Sequence, residues 1–328
     1  MMCNKENRTI TRILLSVFCI SVLLFFGRVY AAEGINPLQP GATTGNTTGL
    51  LPPDGLYFSA DADYETGYVK NGSGDTGIMP TGQKIKAKNS AEVASLLWVP
   101  GWEVLGARYG IAIAQPYKFQ DTHFNGAGGS TSASNGMVNT ILTPVLLSWD
   151  LGGGFHLGTG LAVVLPDGKF DYSYDDASGR NVKQSATIGN HYWTFEPNIA
   201  LTYLYDDWAF TANNIFDINT TNHTTDYKSG STYYLDVTAA RKIGNFTVGL
   251  IGNYIQQTSD DKINGQSVAA VDGFYSRGNR MQHISLGPLL GYNFGSFSIT
   301  ARALLPLHTE NDCGCSFFHI GITVPIKY

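Results

Sequence analysis

The sequence predicts an all-β fold, a transmembrane up-and-down antiparallel β-barrel of twelve strands with both termini on the periplasmic side. Three observations predict it: apolar and polar residues alternate, long and short connections alternate, and aromatic residues fall into two bands. Only 14% of residues are charged and 12% are aromatic, while the mean hydropathy is −0.07. Because this hydropathy is far below that of a helical membrane protein, the composition favours a sheet with little contact with bulk water.

The N-terminal residues have the pattern of a secretory signal peptide. An apolar run at 13–26 follows Lys5, Arg8 and Arg12. Val29-Tyr30-Ala31 then places small residues at the positions that a signal peptidase reads, and cleavage is expected after Ala31 or Ala32. The alternative is a membrane anchor, but the run is short for a helical span. Residues 1–31 carry four basic residues and one acidic residue. The remaining chain therefore has 17 Lys and Arg against 25 Asp and Glu, which argues against nucleic acid as a partner.

The predicted domains are a signal peptide at 1–31, an irregular segment at 32–54 that is rich in Gly, Pro and Thr, and the barrel at 55–328. Each barrel segment shows a period of two, which places one apolar face along a strand. The predicted strands are 55–69, 86–98, 107–119, 137–149, 155–165, 191–205, 208–218, 232–240, 246–255, 282–294, 297–307 and 317–328. Residues 86–98 and 137–149 are apolar in both phases, so the sequence does not fix which way they face.

The connections indicate how these strands are arranged. Short turns ("PGWEVLG", "GG", "DD", "GN" and "GS") alternate with long polar loops at about 70–84, 120–136, 166–190, 219–230, 260–280 and 309–316. A meander with all its long loops at one end gives this pattern, and bacterial outer-membrane barrels have it. In hydrocarbon every backbone N–H and C=O must pair within the protein, so such a sheet must close on itself.

The aromatic residues provide an independent test, because two aromatic bands flanking an aliphatic belt are typical of membrane barrels. Candidate membrane-interface residues are Trp193, Trp208, Phe318 and Tyr328. The alternative is a soluble lipocalin-like barrel or a β-sandwich, in which the apolar face points inward. That alternative does not predict the two bands.

The polar phase of the strands supplies candidate lumen-lining residues, which are Asp61, Asp63, Glu65, Arg108, Glu196, Asp217, Asp236 and Arg302. Charged side chains of this kind select solutes in pores. The alternative is a salt-bridged interior that only holds the barrel together, because buried charges need partners. The sequence leaves the choice open.

Several stretches, in order along residues 50–328, resemble one known family. They are "LLPPDGLYF", "LTPVLLSWDLGGGFHLGTGLAVVLPDGKFDY", "HYWTFEPNIALTYL", "TTDYKSG", "IGNYIQQTSDD" and "GPLLGYNFG". The chain resembles the outer-membrane family described as MetA-pathway of phenol degradation proteins, or SphA-like transporters. The resemblance implies a porin-like channel for small hydrophobic or aromatic compounds and implies no catalytic reaction. "LPDGKFDY" departs from the family's usual Pro-Thr-Gly, and "DCGC" is not typical of it.

The sequence offers little support for an enzyme. It has no phosphate-binding Gly-rich loop and no Gly-x-Ser-x-Gly elbow, so we expect no catalytic residues, no cofactor and no metal. Cys313 and Cys315 lie in a predicted loop beside His308, Glu310 and Asp312. A local disulfide or a loop cap is the expected role of these cysteines, and a metal site is the alternative.

Two functions are consistent with these observations. The first is an outer-membrane channel whose partners are membrane lipid, small solutes and the outer-membrane assembly machinery, which reads the aromatic C-terminal residue of the last strand. The second is a structural or adhesive barrel that acts through its long surface loops. The sequence favours the first, largely through the family resemblance.

Overall fold

The computed structural model describes residues 38–76, 84–125, 130–184, 186–268 and 280–326. The predicted signal peptide at 1–31 and the predicted interface residue Tyr328 lie outside these ranges. Within them, no helix is both long enough and apolar enough to cross a membrane.

The chain forms twelve long strands, labelled here β1 to β12. Their bounds are Gly55–Val69 (β1), Lys84–Val99 (β2), Ala107–Asn125 (β3), Ile141–Gly152 (β4), Phe155–Val164 (β5), Thr194–Tyr205 (β6), Trp208–Asn219 (β7), Thr232–Ile243 (β8), Phe246–Gln257 (β9), Gln282–Asn293 (β10), Ser298–Glu310 (β11) and Cys313–Ile326 (β12). Shorter strands extend the connections: Glu103–Val104, Ser130–Met137, Tyr172–Asp175, Arg180–Lys183, Tyr227–Lys228, Lys262–Ile263 and Gln266–Ser267.

The twelve strands close into an antiparallel barrel in sequence order. Each long strand pairs with its neighbours in the chain, and β1 pairs with β12 from Leu56 opposite Ile326 to Val69 opposite Cys313. This last pairing leaves the sheet without a free edge, as a hydrocarbon environment requires. The predicted fold class is therefore confirmed, including the strand number.

The alternation along each strand separates an apolar outer face from a polar inner face. On β7, Phe210, Phe216 and Ile218 are exposed, whereas Asn213 and Asp217 between them are buried. Exposed apolar side chains and buried polar ones are the reverse of a soluble barrel, and they are what a lipid-facing wall presents. The alternation also shows which residues of β2 face lipid, which the sequence does not determine. Leu96 and Trp98 point outward, and Ala91 and Val99 point inward.

Two aromatic bands encircle the outer face. The periplasmic aromatic band lies at the short-turn ends and includes Phe155, Tyr203, Trp208, Phe210, Phe246 and Tyr292. The extracellular aromatic band lies at the long-loop ends and includes Tyr64, Tyr117, Phe119, Trp193, Phe216, Tyr233, Tyr254 and Phe318. Rings within each band are in contact; the centroids of Phe155 and Tyr203 are 4.4 Å apart.

Two of the predicted long loops are wrong. The last connection is not a loop over 309–316, because β11 continues to Glu310, β12 begins at Cys313 and only Asn311 and Asp312 lie between them. Cys313 and Cys315 are therefore strand residues, and they are joined by a disulfide. Residues 120–136 are also mostly strand, because β3 continues to Asn125 and pairs with Ser130–Met137 as a hairpin.

The described residues of the connections before β8 and after β9 form an extracellular cap. Asp261 is fully buried there, and its carboxylate accepts hydrogen bonds from the Tyr227 hydroxyl (2.5 Å), the Gly230 N–H (2.7 Å) and the Gln257 amide (2.7 Å). These contacts join the loop before β8 to the loop after β9. The cap thus covers the β6–β9 side of the barrel mouth.

The orientation of the wall predicts a sharp contrast between two Leu→Arg substitutions. Leu250 lies on the outer face of β9, midway between the two aromatic bands, and Leu105 lies in a short periplasmic turn; both are exposed. Leu250→Arg should lower the free energy of unfolding by about 2–4 kcal/mol, because it places a charge at the bilayer midplane. Leu105→Arg should have little effect. Equilibrium refolding in lipid vesicles measures both, and equal losses would contradict a lipid-facing Leu250.

Candidate functional site: the barrel lumen

Residues 38–54, called here the lumen segment, run through the interior of the barrel. Leu38 packs against the buried cluster of Ile215, Tyr234, Ile255 and Met281 near the extracellular end. Leu51 is buried against the wall near the periplasmic end. The segment has no regular secondary structure, and its turns pair only some of its backbone groups internally, so the remaining groups need partners on the wall. Sequence analysis predicts an irregular segment here but gives no sign of its position.

Two arginines of the wall donate hydrogen bonds to backbone carbonyl groups of the lumen segment. Arg108 on β3 donates to the carbonyl oxygens of Leu51 (2.9 Å) and Pro52 (2.7 Å) and pairs with Asp54 at 2.7 Å. Arg302 on β11 donates to the carbonyl oxygen of Thr44. Arginine suits this role because its planar head carries five donors.

Asp236 on β8 accepts hydrogen bonds from Thr43 of the same segment. One oxygen of its buried carboxylate accepts from the Thr43 N–H (2.9 Å) and the Thr43 hydroxyl (2.6 Å), and the other accepts from Asn253 (2.5 Å). Wall hydroxyls satisfy further N–H groups: Thr238 accepts from Gly45, and Thr202 accepts from Gly49. The segment is therefore bound to the wall through its backbone.

At Gly49 and Gly158, the backbones of the lumen segment and the wall lie too close together to leave room for a side chain. A Cβ atom at Gly49 would lie 2.7 Å from the backbone nitrogen of Thr202, and one at Gly158 would lie 2.5 Å from the carbonyl oxygen of Thr48. Glycine on both sides permits this contact between two backbones. On the side formed by β4 to β8, the segment thus seals the lumen.

Two cavities remain on the opposite side of the lumen. An outer cavity of about 340 Å³ near the extracellular end is lined by Glu65, Asn89, Lys118, Asp312 and Phe317, among others. An inner cavity of about 140 Å³ below it is lined by Asp61, Asp63, Val93, Arg302 and His319, among others. Both cavities are also lined by Leu38, Gln39 and Lys118, so these three residues stand between them.

Lys118 is a residue of this site that sequence analysis missed. It lies on the inner face of β3 with its side chain 8% exposed, and its ammonium is 3.3 Å from the Glu65 carboxylate. Asn89 also donates to Glu65. The signal was present, because Lys118 alternates with Tyr117 and Phe119, which point outward. A lysine between two band aromatics must face the lumen.

The predicted acidic residues of β1 lie along both cavities. Asp63 contacts the Nδ1 atom of His319, its register partner on β12, and Asp61 lies opposite Gly321. Arg302 is the register partner of His319 on the other side of β12. The inner cavity therefore carries two acids, an arginine and a histidine on adjacent strands.

The last two predicted residues, Glu196 and Asp217, lie on the sealed side. Both are buried on the inner faces of β6 and β7, and Tyr234 lies beside them on β8. Oε1 of Glu196, both carboxylate oxygens of Asp217 and the Tyr234 hydroxyl have no hydrogen-bond partner of good geometry within the described residues. They border neither cavity.

Asp312, in the turn between β11 and β12, lies at the rim of the outer cavity. Burial raises the pKa of its carboxyl group to about 7, and the negative charge of Glu65 adds to the rise. The Cys313 N–H, 2.7 Å from Oδ1, and the charge of Lys118 act in the opposite direction. The outer cavity therefore has an acid that changes charge near neutral pH.

These features define a class: an outer-membrane β-barrel whose lumen is narrowed by its own N-terminal segment. A family model described as "Putative MetA-pathway of phenol degradation" matches residues 66–312. The chain belongs to this family, as the sequence resemblance implies. No curated protein sequence matches the chain.

A solved structure with a TM-score above 0.5 agrees on the fold. The COG4313 outer membrane channel from Pseudomonas putida F1 is similar with a TM-score of 0.66 at 14% identity, over 89% of this chain and 100% of that chain. The β domain of the Bordetella autotransporter BrkA has a TM-score of 0.48 at 15% identity, over 83% of this chain and 100% of that chain. The Pseudomonas putida toluene transporter TodX has a TM-score of 0.43 at 9% identity, over 90% and 99%.

Weakening the anchor at Asp236 should open the lumen. In Asp236→Asn, a single amide oxygen cannot accept from both Thr43 and Asn253, so one donor loses its partner, at a cost of about 1–3 kcal/mol. The lumen segment should leave the wall more often, and single-channel conductance in planar bilayers should rise. Asp150→Asn is the control, because this exposed acid lies at the periplasmic end of β4 and accepts from the Gly152 N–H, not from the lumen segment. Unchanged conductance in Asp236→Asn would contradict the anchoring role.

The raised pKa of Asp312 predicts a pH-dependent charge selectivity. Below about pH 7 the carboxyl group is neutral, and above it the outer cavity gains a negative charge. The ratio of cation to anion permeability should therefore rise between pH 6 and pH 8. Reversal potentials under a salt gradient measure this ratio. Asp312→Asn should remove the rise. Glu65, Lys118 and His283 are present in both proteins, so the difference between the two profiles belongs to Asp312. A rise that persists in the variant would mean that another group titrates.

Proposed function

We propose that this protein is an outer-membrane channel that passes small hydrophobic or aromatic compounds along the wall formed by β12, β1, β2 and β3. The observation that carries the proposal is the pair of neighbouring cavities, which have Leu38, Gln39 and Lys118 in common. A solute entering from outside would pass from the outer cavity to the inner cavity between Lys118 and the lumen segment.

The lining of the path supports this class of solute. The inner cavity is bordered by Ala91, Val93, Pro116, Val138 and Ile141, which offer an apolar surface. Charged groups lie beside them, since Asp61 and Asp63 are the register partners of Val93 and Ala91, and Lys118 and Gln39 can donate hydrogen bonds. An apolar body with one polar group matches such a lining, as is usual for small-molecule sites. The family's description and the COG4313 channel agree with this proposal.

The lumen charges then have separate roles. Arg108, Arg302 and Asp236 position the lumen segment, whereas Asp61, Asp63 and Glu65 line the path. Both interpretations that the sequence left open thus apply, each to a different part of the wall. We propose membrane lipid, solutes and the assembly machinery as partners, and no catalytic activity.

A bulky residue in the inner cavity tests the path. Val93 faces this cavity, and Ala94, the next residue of β2, faces lipid. Val93→Trp should fill most of the cavity and lower the uptake of phenol into proteoliposomes by about tenfold or more. Ala94→Trp introduces the same side chain on the outer face and should leave uptake unchanged.

Heat-modifiable migration on a gel first shows whether each variant is a closed barrel. Two results would then contradict the proposal. If folded Val93→Trp transports phenol at the wild-type rate, the path does not use this cavity. If the unmodified protein takes up no member of a panel of aromatic and aliphatic solutes, the channel function itself fails, and the alternative of a structural or adhesive barrel gains support.

A further inference from the structure

The outer face of β2 carries a row of lysines, called here the lysine ladder, which consists of Lys84, Lys86 and Lys88. Ile85 and Ala87, which alternate with them, line the outer cavity and therefore point inward. The ladder shares its phase with Leu96 and Trp98 on the lipid-facing side of the same strand. The three ammonium groups consequently face away from the barrel.

The ladder begins where the membrane belt ends. Ser90 is the register partner of both Tyr64 and Phe119, which belong to the extracellular aromatic band. Lys88 is the next outward residue, and Lys84 is the third. Outward residues on a strand are about 7 Å apart, so Lys88 and Lys84 lie about 7 and about 20 Å beyond Ser90 along the strand, and the corresponding heights are smaller because barrel strands are tilted. This is the headgroup region of the outer leaflet.

The ladder is not neutralised within the described part of the chain. None of its three lysines lies within ion-pair distance of a carboxylate there, although Asp121 is the register partner of Lys88. Lys86 stands over the ring of Tyr68, with its ammonium 5.5 Å from the centroid. Lys70 passes over Gly314 on the same outer surface. Positive charge therefore accumulates here on a chain whose net charge is −5.

We propose that the lysine ladder binds the phosphate groups of lipopolysaccharide, the lipid of the outer leaflet. Lysines at a membrane surface attract anionic headgroups by about 1 kcal/mol each. A lipid with several phosphates at different heights complements charges that are stacked along a strand. Tyr64, Phe119 and Phe318 lie directly below the ladder and contact the sugar and acyl region of the same lipid. This site lies outside the lumen and is independent of solute transport.

The test compares two triple substitutions in the full-length barrel in detergent. Lys84→Gln/Lys86→Gln/Lys88→Gln removes the ladder. Lys169→Gln/Lys228→Gln/Lys262→Gln removes the same charge from exposed extracellular positions that lie away from it. Each protein is titrated with lipopolysaccharide, with dephosphorylated lipopolysaccharide and with inorganic phosphate, and binding is measured by thermophoresis at low and high salt.

The ladder variant should bind lipopolysaccharide about 100-fold more weakly than the wild type, from three lysines at about 1 kcal/mol each. The control variant should bind as the wild type does. Dephosphorylated lipopolysaccharide should bind the wild type as weakly as the intact lipid binds the ladder variant. High salt should weaken wild-type binding strongly and have little effect on the ladder variant, because screening acts on the removed charges.

Several outcomes would overturn the proposal. Equal losses in the two triple variants would indicate a nonspecific charge effect. Wild-type affinity for the dephosphorylated lipid would exclude phosphate recognition. Inorganic phosphate that binds the ladder at the same affinity would make it a site for free anions. Heat-modifiable migration shows that the ladder variant is folded, and Lys84→Arg/Lys86→Arg/Lys88→Arg, which retains the charge, should restore binding; failure to do so would also contradict the proposal.

Discussion

The structure depends on one constraint: within hydrocarbon, every backbone N–H and C=O must find its partner inside the protein. An unpaired group there costs several kcal/mol, and an open sheet edge would expose a full row of them. The antiparallel pairing of β1 with β12 over fourteen residue pairs removes that edge. Once the sheet is closed, the period of two along each strand determines what faces lipid and what faces the lumen. The aliphatic belt, the two aromatic bands and the polar interior all follow from closure.

The same need for backbone hydrogen-bond partners applies to the lumen segment inside the barrel. The lumen segment has no regular secondary structure, and its turns pair only some of its backbone groups with one another, such as the Ala42 N–H with the Gln39 carbonyl. The wall supplies further partners: guanidinium donors from Arg108 and Arg302, carboxylate and hydroxyl acceptors from Asp236, Thr238 and Thr202. Several charged residues of the inner face are thereby explained as partners for backbone. Their hydrogen bonds to this segment are one physical reason for charged side chains on the inner face.

The sequence predicts the strands well because their signal is local. Alternation, short turns and loop lengths locate β1 over the residues observed, and the same pattern places Glu196 and Asp217 on the inner face. It does not predict the position of the lumen segment, because that position depends on contacts such as the one between Thr43 and Asp236, which are 193 residues apart. The loop predicted at 309–316 failed for a different reason. Polar residues and a Cys-Gly-Cys motif are typical of loops, but here a two-residue turn and a disulfide lie at the end of a continuous hairpin.

The position of the lumen segment also explains where a path is left. Its hydrogen bonds reach the wall at β3 and β11 through the two arginines and at β4, β6, β7 and β8, and close contacts between backbones, such as that at Gly49, bring it against the β4 to β8 side. A segment held against one side of a closed barrel must leave space on the other, and both cavities lie along β12 and β1 to β3. The extracellular cap covers the side that the segment seals. Lys118 and Glu65, the ion pair on the open side, therefore stand where a solute would pass, whereas Glu196 and Asp217 stand where it would not. Whether a lumen charge meets solute is decided by the side of the barrel against which the segment is bound, a property that no single strand carries.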